Sequence, residues 1–394
     1  MPHLIEISYE ITPEQGTDIK RLSREIALEQ TVEVPDDVVV DPVIRDNVVG
    51  RTLDITPLGG VPARYRVVIG YSPEVTGYQL PQFLNVLFGN ISLKTNIRIV
   101  DFQLPEIFFR HFPGPKVGVD GLRQWLGVYN RPLAATALKP MGSSPQTLAE
   151  QAGAFALGGG DIIKDDHGLA DQSFCPFEER VSRCQEAVTQ ANAVTGSVTL
   201  YFPNVVGEPE QVVRQVEFAL SAGVRGILVS PLLVGPGLVS FLSRKYPLAI
   251  MAHPAFTGTH FHDRRHGMTP AVLLGKVFRL LGADISVFPN SGGRFGFTPE
   301  ECSDLAAALR SPWENRRVAW PAPAGGMQLS RIGDMAVQYG PDTVLLVGGA
   351  LQQAAAGITE GIRTFLQAIE QQFPEQRPDT GRFTPSDALP RSRT

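Results

Sequence analysis

From residue 132 onward the chain keeps a rhythm that few folds can satisfy. Eight short β-rich runs recur: PLAATALKP (132–140), GDIIKDD (160–166), VTLYFPNV (198–205), GILVSPLL (226–233), PLAIMAH (247–253), ADISVFPN (283–290), RVAWPAPAGG (317–326) and TVLLVGG (343–349). Strands of a parallel sheet buried on both faces read as near-continuous apolar runs of this kind. Helical segments such as PQTLAEQAGAFALGG and PEQVVRQVEFALSAG fill the gaps. Eight strand–helix alternations predict an α/β chain whose residues 119–394 form a (β/α)8 TIM barrel.

Residues 1–118 read differently. LIEISYEI (4–11) alternates like a half-buried strand, and TDIKRLSREIALEQ (17–30) has helical spacing behind a Thr-Asp cap. A weaker strand candidate, VGRTLDI (49–55), precedes the strand RYRVVIGYS (64–72). The helix QLPQFLNVLFG (79–89) and the strand NIRIVDFQL (96–104) complete the set. Strand-helix-strand-strand-helix-strand predicts a ferredoxin-like α+β domain. Pro42 and LGGVP (58–62) mark loops, and HFPGPKVGVDG (111–121) is the linker. From about Pro374 the tail is polar and proline-bearing, and is expected to be loose.

Charge narrows the partners. The formal net charge is −5 with no basic run, which argues against nucleic acid. The N-terminus, MPHLIEISYEITPEQGTD, is acidic and alternating rather than secretory. The most apolar stretch, 226–239, is broken by Pro231, Gly235, Pro236 and Gly237, so no membrane span is expected. Cys175, Cys184 and Cys302 are odd in number and lack metal-type spacing, which suggests a reduced, cytoplasmic compartment and buried thiols.

In a barrel of this type, chemistry collects at the carboxyl ends of the strands. Strand one ends in Lys139. Strand two ends in Lys164, Asp166 and His167, inside GGGDIIKDDHG (158–168). Alternation puts Lys164 and Asp166 on one face and Asp165 on the other. His253 ends strand five, and Asn290, followed by SGGRFG with Arg294, ends strand six. His253 and these two are candidate substrate contacts, although a satisfied core histidine is an alternative for His253. Gly325 and Gly326 follow strand seven; Gly348 and Gly349 follow strand eight. Those two loops are the usual phosphate site of the fold, so the glycine pairs suggest a small phosphorylated substrate or, more plainly, tight turns.

Asp166 and His167 could bind a divalent cation. The carboxylate favours Mg2+, and the imidazole moves preference toward Mn2+. A third ligand is missing, and an ammonium cannot serve; a carbamate on Lys164 could. Lys139 could act as a base or sit in a salt bridge to Asp165 or Asp166. His260, His262 and His266, beside Asp263, Arg264 and Arg265, read as a solvated lid rather than a metal cluster.

GGGDIIKDDHG resembles the activation motif of the ribulose bisphosphate carboxylase/oxygenase (RuBisCO) large-chain family, Gly-x-Asp-x-x-Lys-Asp-Asp-Glu, and RPLAATALKP resembles its strand-one lysine motif. The resemblance implies a carbamylated Lys164 that holds Mg2+ with Asp166 and His167. It implies that Lys139 handles the proton of enolisation and that Gly326, Gly348 and Gly349 bind one phosphate. A homodimer is implied, with the N-terminal domain of one subunit over the barrel mouth of the other.

Four departures set the chain apart. The metal-ligand glutamate is His167, the second lysine of Lys-Pro-Lys is Met141, and the arginine after the strand-five histidine is Pro254. NSGGRFG has no clear match to the lysine that stabilises carboxylation. The pattern is similar to a non-carboxylating RuBisCO-like protein. Within that group, the methionine-salvage enolases carry a lysine after Phe-Gly in the N-terminal domain, where this chain has Asn90.

Enolate chemistry on a metal then has three possible uses. The leading expectation is decarboxylation of a phosphorylated keto sugar acid, as RuBisCO-like proteins of acid-sugar catabolism perform on 3-oxo-isoapionate 4-phosphate. The alternatives are an enolase or isomerase of a methylthio-sugar phosphate in methionine salvage, and a non-catalytic binding protein.

Overall fold

The computed structural model describes residues 3–313, 316–326, 329–348 and 357–373. Gly349 and the tail from Pro374, both read in the sequence, lie outside these residues.

The N-terminal sheet contains β1 (Ile5–Ile11), β2 (Arg51–Gly59), β3 (Arg64–Tyr71) and β4 (Ile97–Gln103). Its order is β4-β1-β3-β2, all antiparallel, with helices Ile19–Glu29 and Leu80–Phe88 between the strands. β1 buries every second residue, so the alternation read from LIEISYEI lines one face of a core. Asp18 caps the first helix by accepting from the Lys20 N–H, consistent with the predicted Thr-Asp start.

The barrel strands are β5 (Leu133–Leu138), β6 (Ile162–Asp165), β7 (Leu200–Phe202), β8 (Gly226–Val229) and β9 (Ala249–Ala252), then β11 (Ile285–Pro289), β12 (Trp320–Ala324) and β13 (Val344–Leu346). All run parallel in the order β7-β6-β5-β13-β12-β11-β9-β8. A parallel bridge between Asn204 and Leu228 joins β7 to β8 and closes the ring. Ile162, Phe202, Met251, Val287 and Ala322 fill the interior, while Ile163, Tyr201 and Ile227 face the outer helices.

β12 carries two prolines in the middle of a sheet. Trp320 donates its N–H toward Asp284, on the β11 side, so the even positions pair with β11. Pro321 and Pro323 turn their missing donors toward β13, to which β12 is joined among the described residues by the single pair Ala324–Leu346.

A two-residue strand, β10 (Gly267–Met268), leaves the loop after β9 and pairs with β4. The N-terminal sheet thus holds five strands, one of them drawn from barrel sequence. The segment 260–266, expected to be a solvated lid, is tied down by this pairing. Arg98 donates to the Arg264 carbonyl, and the His266 ring lies 5.5 Å from Phe88. His260 and His266 are half-buried, and only His262 is exposed.

Candidate active site

The end of β6 splits its two aspartates. Asp165 points outward and is fully buried. It accepts from Arg180 Nε at 3.0 Å, Tyr201 Oη at 2.7 Å and the Asn204 N–H at 3.0 Å. Arg180 also donates to the Ala170 and Cys175 carbonyls, and Asn204 Nδ2 to those of His167 and Leu169. Asp165 is therefore the keystone of the loop that holds Asp166 and His167.

Lys164 and Asp166 point inward to the barrel mouth. Lys164 is 3 % exposed and donates Nζ to the Asp165 carbonyl at 2.9 Å. Burial pulls its ammonium down to about 8 against the opposing pull of Asp166. Asp166 Oδ1 lies 3.2 Å from Lys139 Nζ and 3.3 Å from His167 Nδ1. Burial works against its carboxylate, but the His167 hydrogen bond and the Lys139 and Lys164 charges win and hold it well below the usual range. Lys139 comes from the neighbouring strand end, its backbone held by Gln151.

His253, at the end of β9, stacks on His167 with ring centroids 4.2 Å apart and planes 11° from parallel. Burial, helped by the Lys164 charge, lowers its imidazolium to about 2, so the ring is neutral. Its Nδ1 accepts from the Ala255 N–H at 3.2 Å, which leaves Nε2–H as the donor. One mouth thus gathers two amines, a carboxylate and two imidazoles from β5, β6 and β9.

The other candidates fall elsewhere. Asn290 is fully buried; Tyr339 donates to its Oδ1 at 2.6 Å, and its Nδ2 faces Met335 Sδ. Arg294 is exposed, with its guanidinium over Phe295. Gly325 and Gly326 have φ of +89° and +66°, so both need the left-handed region that glycine allows, and both are exposed. Gly348 closes the described part of the neighbouring loop.

Arg331 was missed in the sequence. It donates to Gly326 O at 3.4 Å and Ser291 O at 3.1 Å, bridging the loops after β12 and β11. A cation five residues beyond a glycine pair, just before a helix, was the available signal.

Comparison with known proteins meets this geometry. The ribulose bisphosphate carboxylase large chain, catalytic domain, matches residues 118–289. "Ribulose bisphosphate carboxylase-like protein 1" of Rhodopseudomonas palustris is 38 % identical over 94 % of this chain and 98 % of its own. The chain belongs to the RuBisCO large-chain family. A Rubisco-like protein crystal structure from Rhodopseudomonas palustris superposes with a TM-score of 0.84 at 37 % identity, covering 94 % of this chain and 99 % of that one. "5-methylthioribulose-1-phosphate isomerase" of Rhodospirillum rubrum is 39 % identical over 90 % of this chain and 93 % of its own.

Family membership makes the metal a test of these residues. Unmodified, no group of three His, Cys, Asp or Glu among the described residues could hold an ion. Two amines beside one carboxylate would also repel a dication. A carbamate on Lys164 replaces a positive charge with a negative one and supplies the missing oxygen ligand. An amine titrating near 8 is partly neutral at physiological pH, as attack on CO2 requires. With His167 Nδ1 turned to Asp166, Nε2 is the ring atom left for a ligand role. The residues fit the family's metal once Lys164 is carbamylated.

Proposed function

We propose that this protein moves a proton between neighbouring carbons of a phosphorylated keto sugar, as an isomerase or enolase, with 5-methylthioribulose 1-phosphate as the first substrate to test. The observation that carries the reading is the Lys139–Asp166 pair, 3.2 Å apart at the mouth, beside buried Lys164. The isomerase-named relative, similar over nearly its whole length, supports the salvage alternative over decarboxylation. Asn90 bonds Glu29 of its own domain, which favours an isomerase over an enolase that needs a lysine there.

Lys164 as a carbamate, Asp166 and His167 would hold the divalent ion, Mg2+ or Mn2+, which when bound supplies charge for the developing oxyanion. The chain's own groups do the rest. Lys139 takes the proton from the carbon next to the carbonyl, and the C–H electron pair becomes the C=C bond of the enediolate. Returning that proton to the former carbonyl carbon, while the hydroxyl proton passes to the former carbonyl oxygen and the hydroxyl carbon becomes the new C=O, completes the isomerisation. His253 Nε2–H donates to a substrate oxygen. Gly325, Gly326, Gly348 and Gly349 receive the phosphate, with Arg331 beside them. Large apolar side chains stand exposed on five mouth loops, Met141, Phe174, Leu233, Phe256 and Phe295, and suit a thioether tail or the covering domain of a second subunit. A homodimer and a cytoplasmic setting accompany this reading. Among the described residues no helix is long and apolar enough to cross a membrane.

The test incubates 5-methylthioribulose 1-phosphate and a β-keto sugar-acid phosphate with the protein, bicarbonate, and Mg2+ or Mn2+ in D2O. Isomer formation that falls at least 1000-fold (roughly the scale of an essential acid–base group) in both Lys139→Ala and Lys164→Ala is expected. Release of CO2 from the keto acid without isomerisation would return the assignment to a decarboxylase. No conversion of either would leave a binding protein.

A further inference from the structure

At the opposite end of the barrel lies a second concave site. It is a cleft of about 320 Å3, lined by Gly114, Lys116, Ser243, Arg244, Arg316 and Arg317. Lys116 lies in the linker, Arg244 ends the helix before β9, and Arg316 and Arg317 precede β12. Residues at this face of a barrel ordinarily serve stability rather than chemistry. None of these four cations belongs to an ion pair among the described residues.

Their hydrogen bonds show what each has left. Lys116 Nζ donates to the Arg244 and Tyr246 carbonyls, at 3.0 and 2.7 Å, and keeps a third proton. Arg317 Nη1 donates to the Val117 carbonyl and Arg244 Nη1 reaches that of His111 at 3.5 Å. Arg316 Nε is buried without a hydrogen-bond partner among the described residues, its guanidinium lying over the Phe109 ring, an arrangement that costs free energy unless a ligand completes it. A fifth cation, Arg279, backs the cluster, its guanidinium spent on the Ser311 and Arg317 carbonyls rather than on an acid. The carboxylate that Lys116 and Arg317 face is Asp284, which is fully buried and accepts three backbone N–H groups. Among the described residues, this one interior carboxylate leaves the lining of the cleft cationic.

We infer that this cleft is a second anion site, separate from the catalytic mouth, which takes a small multiply charged phosphoryl compound of about the size of pyrophosphate. Several guanidinium groups converging on one hollow match the bidentate geometry of phosphoryl oxygens. The volume sits at the small end of ligand pockets, which excludes a large cofactor.

Pyrophosphate is the probe, followed by calorimetry on the full chain at low and high salt. Two variants accompany the wild type: Arg244→Gln, which removes an exposed charge with little structural role, and the double variant Arg244→Gln/Arg316→Gln. The expected result is a binding event that weakens at least tenfold in the double variant, more modestly in Arg244→Gln, and falls with added salt while acetate gives none. Thermal unfolding without ligand reports whether the double variant folds; if it does not, Arg244→Gln alone decides. Absence of pyrophosphate binding, or binding equally strong in the variants, overturns the site, the latter because it would locate the anion at the mouth.

Discussion

Neutralising Asp165 and neutralising Asp166 should separate stability from catalysis. Asp165→Asn leaves Arg180 charged and fully buried, so about 3–5 kcal/mol of unfolding free energy is expected to disappear in urea titrations. Asp166 faces Lys139 and His167, whose side chains are 37 % and 46 % exposed. Buried Lys164 also loses its counter-charge but can shed its proton, so Asp166→Asn should cost about 1–2 kcal/mol, less than Asp165→Asn, while removing turnover and metal binding. Strand alternation already told the two residues apart in the sequence. The partners that make Asp165 structural were not legible, because Arg180, Tyr201 and Asn204 reach it from other elements. Arg331 was hidden for the same reason: its position beside Gly326 depends on how the helix Ile332–Tyr339 begins. If Arg331 assists the phosphate, Arg331→Ala raises KM about tenfold or more for the phosphorylated substrate and leaves kcat nearly unchanged, as loss of uniform binding does. A fall in kcat with KM constant would remove it from the phosphate site.

At the scale of elements, the linker and two strands meet on one carboxyl group. Asp284 Oδ1 accepts from the Val117 and Gly118 N–H groups and Oδ2 from Ile250 N–H, tying the barrel entrance to β9 and β11. Burial outweighs these donors and raises its carboxyl to about 6. The unfolded chain ionises this group near pH 4, whereas the folded chain holds its proton until about pH 6. Stability from Asp284 is thus present below pH 4 and declines as pH rises through that window, by up to about 3 kcal/mol. Asp284→Asn sets an amide donor against a backbone donor and should destabilise by about 1–3 kcal/mol, with the gap to wild type shrinking between pH 4 and pH 6. A gap that is constant with pH would show that the three donors keep Asp284 ionised throughout. Elements themselves were read well where their period was long enough. The eight barrel strands and the helices Ile19–Glu29 and Leu80–Phe88 followed from spacing, whereas Pro42, read as a loop mark, opens the short helix Pro42–Asn47 at its first position behind the Asp41 cap. β12 survived its prolines because they face the thinly paired side.

Over the whole molecule, the N-terminal sheet and the barrel share one core. One contiguous apolar cluster runs from Ile5 in the N-terminal sheet and Phe83 in the helix packed on it to Leu148 and Val272 outside the barrel. Trp313 contacts Phe102 and Phe109, and Lys276 pairs with Asp101 across the same seam. The change of rhythm near residue 118 carries no sign of this seam, because a two-residue strand such as β10 has no period. That strand joins the loop leaving the mouth strand β9 to the sheet edge at β4. Gly267 makes the connection possible: its φ is +94°, and a Cβ there would lie 1.9 Å from the His260 carbonyl oxygen. Gly267→Ala must therefore move backbone, at an expected cost of about 2 kcal/mol or more. Wild type should melt in a single transition seen alike by near- and far-ultraviolet circular dichroism, because the shared core couples both domains. In the variant, amide exchange should rise together in β4 and in 256–268. Exchange confined to 256–268 would mean that β10 hangs on the sheet without holding it, and that the mouth loop and the N-terminal domain are mechanically independent.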